Sequence, residues 1–363
     1  MKSVGLLSPY KLGTIDLKNR IVMAPMTRSR ATNNLPNALM AKFYEQRAAA
    51  GLIITEGTSP SPNGVGYSRI PGIFNNAQVE GWKETTQAVH AAGGAIFLQL
   101  MHTGRISHRD NMSDTAVIIA PSAIKPSGTM WTDTLGLQEY PLPLEMDTEE
   151  ISSTRQEFIT AAINAIHAGF NGVEFHGANG YLLEQFLSPV SNTRTDLYGG
   201  TIENRCRFLL EILQCTADSI GRHSVGIRLS PYGIANDMPH YPEIEQTYHF
   251  LAEQIERIGI QYINIVDHHS MGAPEVPLKI KNDIRNRFHG TLILGGGYTL
   301  DQAHEDVKIG LADLIAFGRP FINNPDLVER FSEGRALSEK IDTETFYTVG
   351  EKGYTDYPVY KET

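Results

Sequence analysis

Short apolar runs recur along the chain at even intervals, and stripes of helical period fill the gaps between them. Eight runs read as strands: Arg20–Pro25 (RIVMAP), Leu52–Glu56 (LIITE), Ala95–Leu100 (AIFLQL), Gly172–His176 (GVEFH), Ser224–Leu229 (SVGIRL), Tyr262–Val266 (YINIV), Thr291–Leu294 (TLIL) and Asp313–Phe317 (DLIAF). Their continuous apolar character, in place of strict alternation, is the pattern of parallel strands buried on both faces. Val79, Trp82, Thr86 and Val89 fall on one helix face. So do Ile202, Leu209, Ile212, Leu213 and Ile220, and again Ile244, Tyr248, Leu251, Ile255 and Ile258. Such stripes cover a sheet. Eight strands alternating with helices close most simply into an α/β fold of the (β/α)8 TIM-barrel type. A doubly wound open sheet is the alternative, and the even rhythm makes it the weaker one.

Two stretches fall outside the bare barrel. Residues 1–19 precede the first strand and read as a small hairpin, SPYKL and IDLKN around a GT turn. Residues 101–148, after the third strand, form a long loop insertion rich in Ser, Thr, Pro and Asp. A loop of that length in a compact fold is usually functional, often a lid. Repeats, low-complexity tracts and linkers are absent, so residues 1–363 read as one domain.

Composition narrows the function. The 363 residues carry a formal net charge of −10, which argues against a nucleic-acid partner. A few local arginines still suffice to bind a small anion. The two cysteines, Cys206 and Cys215, sit on one predicted helix about 13 Å apart, too far for a disulfide. No signal-peptide pattern opens the chain and no apolar run is long enough to span a membrane. The expectation is a cytoplasmic enzyme with small-molecule partners.

Barrels of this kind place their chemistry at the C-terminal ends of the strands. The first run ends in Pro25-Met26-Thr27 and the second leads into Gly57. The third carries Gln99, then Met101 and His102. The fifth holds Arg228 among apolar neighbours, where its charge needs either an internal carboxylate or an anionic ligand. After the seventh run comes Gly295-Gly296-Gly297, and after the eighth Gly318-Arg319. That pair of loops suits a phosphate group, although the glycines alone also fit a tight turn. The fourth run ends at His176, with Asn179 and Tyr181 just beyond. His and Asn can donate to one carbonyl or nitro oxygen while the phenol supplies a proton. A His that merely caps its own turn is the plainer reading. Asp267-His268-His269 tempts a metal assignment, but adjacent residues rarely aim at one ion, so we read no metal site and treat these as loop histidines.

With those residues in view, the chain resembles the Old Yellow Enzyme family of NADH:flavin oxidoreductases and ene-reductases. The matching segments are LKNRIVMAPMTRSRA at 17–31, LQLMHTGRISH at 98–108, GFNGVEFHGANGYLLEQFLSP at 169–189, YGGTIENRCRFLLE at 198–211, AFGRPFINNPDLVER at 316–330 and EKGYTDYP at 351–358. The resemblance implies tightly bound, non-covalent FMN, reduced by NADPH or NADH, and activated alkenes as substrates. It implies that Pro25, Met26, Thr27, Gly57 and Gln99 hold the flavin ring and that Arg228 lies near its N1 and O2. Gly296, Gly297, Gly318 and Arg319 would hold the phosphate. His176 and Asn179 would bind the substrate oxygen, and Tyr181 would protonate the α-carbon. Tyr67, Met101 and Tyr347 would line the substrate pocket. Met101 stands where many relatives have tryptophan, which bears on stereochemical preference. The implied cycle is ping-pong, with hydride passing from NAD(P)H through flavin N5 to the β-carbon of an unsaturated carbonyl or nitro compound. The alternatives are a flavin-free barrel acting on a phosphorylated metabolite, with His176 as base, and a barrel that only binds a nucleotide.

Overall fold

The computed structural model describes residues 5–338 and 340–360, so residues 1–4 of the expected hairpin lie outside the description. The hairpin itself is β1 (Tyr10–Leu12) and β2 (Ile15–Leu17), paired antiparallel. Next come β3 (Ile21–Met23), α1 (Ala38–Glu45), β4 (Leu52–Ile54), α2 (Asn76–Ala91) and β5 (Ile96–Leu100). The insertion after β5 carries β6 (Ile119–Ala120), β7 (Thr129–Thr132), β8 (Gly136–Glu139) and β9 (Leu144–Glu145). Then follow α3 (Thr148–His167), β10 (Gly172–Gly177), α4 (Leu182–Leu187), α5 (Ile202–Ile220), β11 (Val225–Leu229) and α6 (Ile244–Ile258). The chain finishes with β12 (Tyr262–Val266), α7 (Leu278–Arg287), β13 (Thr291–Gly295), α8 (Leu300–Lys308), β14 (Leu314–Phe317), α9 (Arg319–Asn323) and α10 (Leu327–Glu333).

The eight parallel strands close in the order β10-β11-β12-β13-β14-β3-β4-β5, which rules out the open sheet. Alternation along each strand separates two cores. Residues such as Val173, Phe175, Ile227, Ile263 and Leu294 face outward and pack on the helices. The predicted stripes supply the other side of that core, with Trp82, Val89, Leu209, Ile212, Leu251 and Ile255 all buried. The opposite parity fills the barrel. Val22, Leu52, Ile54, Phe97, Tyr262, Ile293 and Leu314 form an inner cluster, closed at one end by Leu12 and Leu17 of the hairpin. Gly226 has no alternative there: a Cβ would lie 2.2 Å from the Tyr262 ring. Burial of a leucine side chain stabilises by about 1.5–3 kcal/mol, so the hairpin is a plug as well as a leader.

Two expectations need revision. The first strand ends at Met23 instead of Pro25 and the second at Ile54 instead of Glu56; in the first, Ala24 N–H still bonds to the Phe317 carbonyl, and Pro25 then has no N–H to continue the ladder. The insertion over 101–148 is not a plain loop. Strands β7 and β8 form an antiparallel hairpin, and β6 pairs with β9 in parallel. Met130 and Tyr140 from this region pack with Ile106 against Tyr67 and Tyr181. Among the described residues, no helix is long and apolar enough to cross a membrane.

Candidate active site

Register carries the polar side chains to one end of the barrel. His176 on β10 pairs with Arg228 on β11, and Arg228 pairs with Asn264 on β12. Two residues earlier, Glu174 pairs with Gln99 on β5. These residues share the inward parity, so a polar layer lies above the apolar plug. Glu174 is fully buried; its two oxygens accept from Gln99 Nε2 and Asn264 Nδ2, each at 2.8 Å. Burial, the dominant effect, raises its pKa against the opposing pull of Arg228.

Arg228 is 8% exposed, and its Nε is buried without a hydrogen-bond partner among the described residues. Arg228 forms no ion pair among those residues; Glu174 acts on it electrostatically, but its oxygens are bonded to Gln99 and Asn264. Burial lowers the guanidinium pKa, with Glu174 opposing. A buried cation left this way is costly unless an anion joins it. His176 is buried as well, and its Nδ1 also lacks a partner. Burial first, then Arg228 and His268, depress its pKa well below the usual imidazole value, so the ring is neutral with one N–H.

Beyond β10 the chain turns sharply. Asn179 adopts φ +58, the left-handed region that Asn tolerates better than most residues. Its N–H donates to Ser230 Oγ at 2.9 Å and its carbonyl accepts from Asn236 Nδ2 at 2.7 Å. Glu184 on α4 fastens the same turn from below, accepting from Gly180 N–H at 2.5 Å, Ser230 Oγ at 2.8 Å and Tyr248 OH at 3.2 Å. Burial pushes its pKa up to about 7. Tyr181 ends the turn. Its ring packs edge-on to His176 with centroids 4.8 Å apart, and its hydroxyl lies 3.0 Å from Tyr67 OH. Burial raises its pKa, so it keeps its proton at neutral pH.

Met101 is buried and shares an apolar cluster with Val65, Ile70, Tyr67 and Tyr181. Gly57 lies against its side chain. Pro25, Met26 and Thr27 follow β3 half-buried at the mouth, with Met26 Sδ beside Gly318. Gly296 and Gly297 have φ +134 and +74, and a Cβ on Gly296 would strike the Asp267 carbonyl at 2.0 Å. The glycines therefore have a conformational reason to be there. The anion reading rests instead on their N–H groups, which have no partner among the described residues, and on Arg319. Arg319 reaches Ser270 Oγ at 2.9 Å, and Ser270 also flanks Gly297. Tyr347 is the outlier, 59% exposed on a tail at the rim, where Arg69 Nη2 donates to its carbonyl at 2.6 Å.

Glu174, Asn264 and Glu184, at this end, were not singled out from the sequence. Glu174 and Asn264 lie on the inward parity of GVEFH and YINIV, and that parity was the available signal. Glu184 showed itself only as an acid inside the apolar run LLEQFL. His268 is no idle loop histidine: Nε2 lies 2.7 Å from Asn179 Oδ1. Asp267 caps His269 N–H and Val276 N–H and pairs with Lys281 at 3.1 Å. His102 serves the backbone, with Nδ1 accepting from Gly104 N–H at 3.1 Å.

Fold and arrangement together define a (β/α)8-barrel enzyme with its polar site at the strand ends. The model of the NADH:flavin oxidoreductase / NADH oxidase family matches residues 5–338. The "12-oxophytodienoate reductase 1" of Oryza sativa subsp. japonica is 40% identical, the match covering 99% of this chain and 94% of that one. A "probable flavin mononucleotide-dependent alkene reductase" of Leishmania infantum is also 40% identical, with 97% of both chains covered. Among solved structures, morphinone reductase superposes with a TM-score of 0.95 at 42% identity, covering 99% of this chain and 97% of the other. The Old Yellow Enzyme homologue of Zymomonas mobilis gives 0.93 at 39% identity, covering 98% and 100%. The chain belongs to the NADH:flavin oxidoreductase / NADH oxidase family, that of the Old Yellow Enzymes. It is an FMN-dependent oxidoreductase acting by hydride transfer, and membership implies NAD(P)H as reductant. The flavin-free and binding-only alternatives fall away.

Proposed function

We propose that the protein is an ene-reductase that works on alkenes conjugated to a carbonyl or nitro group. The observation that carries the reading is the turn after β10. There a neutral His176 with an unpartnered buried nitrogen packs edge-on to a protonated Tyr181 and pairs in register with Arg228, and Asn179 lies on the same turn. The named activities of the relatives, on 12-oxophytodienoate, morphinone and alkenes, support that substrate class.

The residues present fit FMN. Arg228, in no ion pair among the described residues, suits the negative charge of a reduced ring, and the N–H groups of Gly296 and Gly297, unpartnered among those residues, suit a phosphate together with Arg319. Thr27, Pro25, Met26, Gly57 and Gln99, all at the same end of the barrel, would hold the ring, and Gly318 lies beside Met26. With Gln99 Nε2 bonded to Glu174, its carbonyl oxygen is left to accept from a ring N–H. When bound, FMN would supply the redox chemistry, hydride transfer in ping-pong order between NAD(P)H and the β-carbon of the alkene.

The protein's own part is orientation, charge and one proton. His176 and Asn179 donate to the activating oxygen and stabilise the enolate charge that grows on it. Tyr181, whose hydroxyl donates to Tyr67 OH at 3.0 Å at rest, donates its proton to the α-carbon, and the Tyr67 hydroxyl then turns to donate to the phenolate left behind. Tyr67, Met101 and Tyr347 border the substrate. Replacing Tyr181 with Phe tests this directly by stopped-flow measurement of each half-reaction. Reoxidation by 2-cyclohexenone is expected to slow by roughly 10²–10⁴-fold, the worth of a positioned general acid, while reduction by NADPH is unchanged. Equal loss in both halves would remove Tyr181 from its role.

A further inference from the structure

Every hydrogen-bonding group of Asn179 except one has a protein partner. The N–H is bonded to Ser230, the carbonyl to Asn236 and Oδ1 to His268. Only Nδ2 is left without a partner among the described residues. The two backbone bonds fix where the residue sits, but they leave its side-chain amide free to rotate end for end. His268 supplies the one hydrogen bond to that amide among the described residues. It comes from the loop after β12, two strands round the barrel from β10, and is half-buried there.

We infer that His268 is a positioning residue: its Nε2–H holds Asn179 Oδ1, so the amide meets the substrate only as a donor. The assignment rests on the reading of Asn179 as half of the oxygen clamp. A neutral imidazole has one N–H, and the 2.7 Å contact to a carbonyl-type oxygen requires that proton on Nε2. Burial, reinforced by Arg228, holds the His268 pKa down at about 4, which keeps the ring neutral at working pH. In the reverse orientation Oδ1 would face the lone pairs of the substrate oxygen, and one donor of the clamp would become a repulsive acceptor. The fixed orientation also selects substrates. Ketone, aldehyde and nitro oxygens only accept and are favoured, whereas an activating group that donates through its own N–H or O–H meets two donors and is disfavoured.

The test uses the FMN-loaded protein with His268→Leu, His268→Gln, Asn179→Ala and the Leu/Ala double variant. 2-Cyclohexenone is the probe, and kcat, KM and the rate of flavin reduction by NADPH are read separately. His268→Leu is expected to raise KM about fivefold to tenfold, the worth of roughly one hydrogen bond, with flavin reduction unchanged. His268→Gln, which keeps an N–H donor, is expected to recover most of that loss. In the Asn179→Ala background, His268→Leu is expected to add nothing, because the two residues act as one unit. An unchanged KM in His268→Leu, while Asn179→Ala raises it, would overturn the positioning role and leave the clamp standing. No effect of Asn179→Ala would instead overturn the clamp itself, and the positioning role with it. Equal losses in Leu and Gln variants, additive effects in the double variant, or lost flavin in either would mark His268 as merely structural.

Discussion

Replacing Arg228 with Met separates two explanations of a buried arginine, because they predict opposite signs. As half of a compensated pair with Glu174, its loss would strand a buried carboxylate and destabilise the protein by about 3–5 kcal/mol. The structure argues otherwise. Glu174 is satisfied by Gln99 and Asn264, Arg228 Nε has no partner, and burial pushes both groups toward their neutral forms. Flavin-free Arg228→Met should therefore gain, by no more than the roughly 1–4 kcal/mol found when buried ionic groups give way to apolar ones of similar size. With an unfolding entropy of about 2.1 cal/mol/K per residue, 363 residues give roughly 0.76 kcal/mol/K, so the midpoint should rise by about 1–5 °C. FMN binding should move the other way. Losing charge-assisted hydrogen bonds worth about 1.5–3 kcal/mol weakens it by roughly 10- to 150-fold. Thermal unfolding of the flavin-free protein and fluorescence titration with FMN read the two numbers independently. A midpoint that drops by several degrees, or an unchanged FMN affinity, would refute the assignment of Arg228 to the cofactor.

Other predictions concern the supports of the site. Glu184 holds its proton more tightly folded, at about 7, than in its ordinary range near 4.5, so its stabilising contribution is full at low pH and is lost as pH rises through about 7. Relative to Glu184→Gln, the wild type should lose up to about 3 kcal/mol across that window; a stability difference independent of pH in urea titrations would contradict this. Arg30 clamps the C-terminal tail through the carbonyls of Thr345 and Phe346 and the Thr348 hydroxyl, at 2.8, 2.6 and 3.2 Å. Arg30→Ala should open that tail to proteolysis roughly 30- to 150-fold more often, from about 2–3 kcal/mol of lost bonding; unchanged cleavage kinetics would show that other contacts hold it.

The barrel was legible because buried parallel strands leave continuous apolar runs and covering helices leave a 3.6-residue stripe. The turn after β10 was legible because its chemistry is local: His176, Asn179 and Tyr181 lie within six residues. Parity would have exposed Glu174 from His176 and Asn264 from the run YINIV. His268 was illegible for a physical reason. Its partner is 89 residues away, and the meeting depends on how two non-adjacent strand ends approach across the barrel mouth. The insertion hid its hairpin similarly, since β7 and β8 are four residues each, too short to show a pattern.

The most direct test of the central claim is the anaerobic visible spectrum of the purified protein through addition of NADPH and then 2-cyclohexenone. The account predicts a flavin band that bleaches with NADPH and returns with the enone. A colourless protein that takes up no added FMN, or a reduced flavin that the enone leaves bleached, would contradict it.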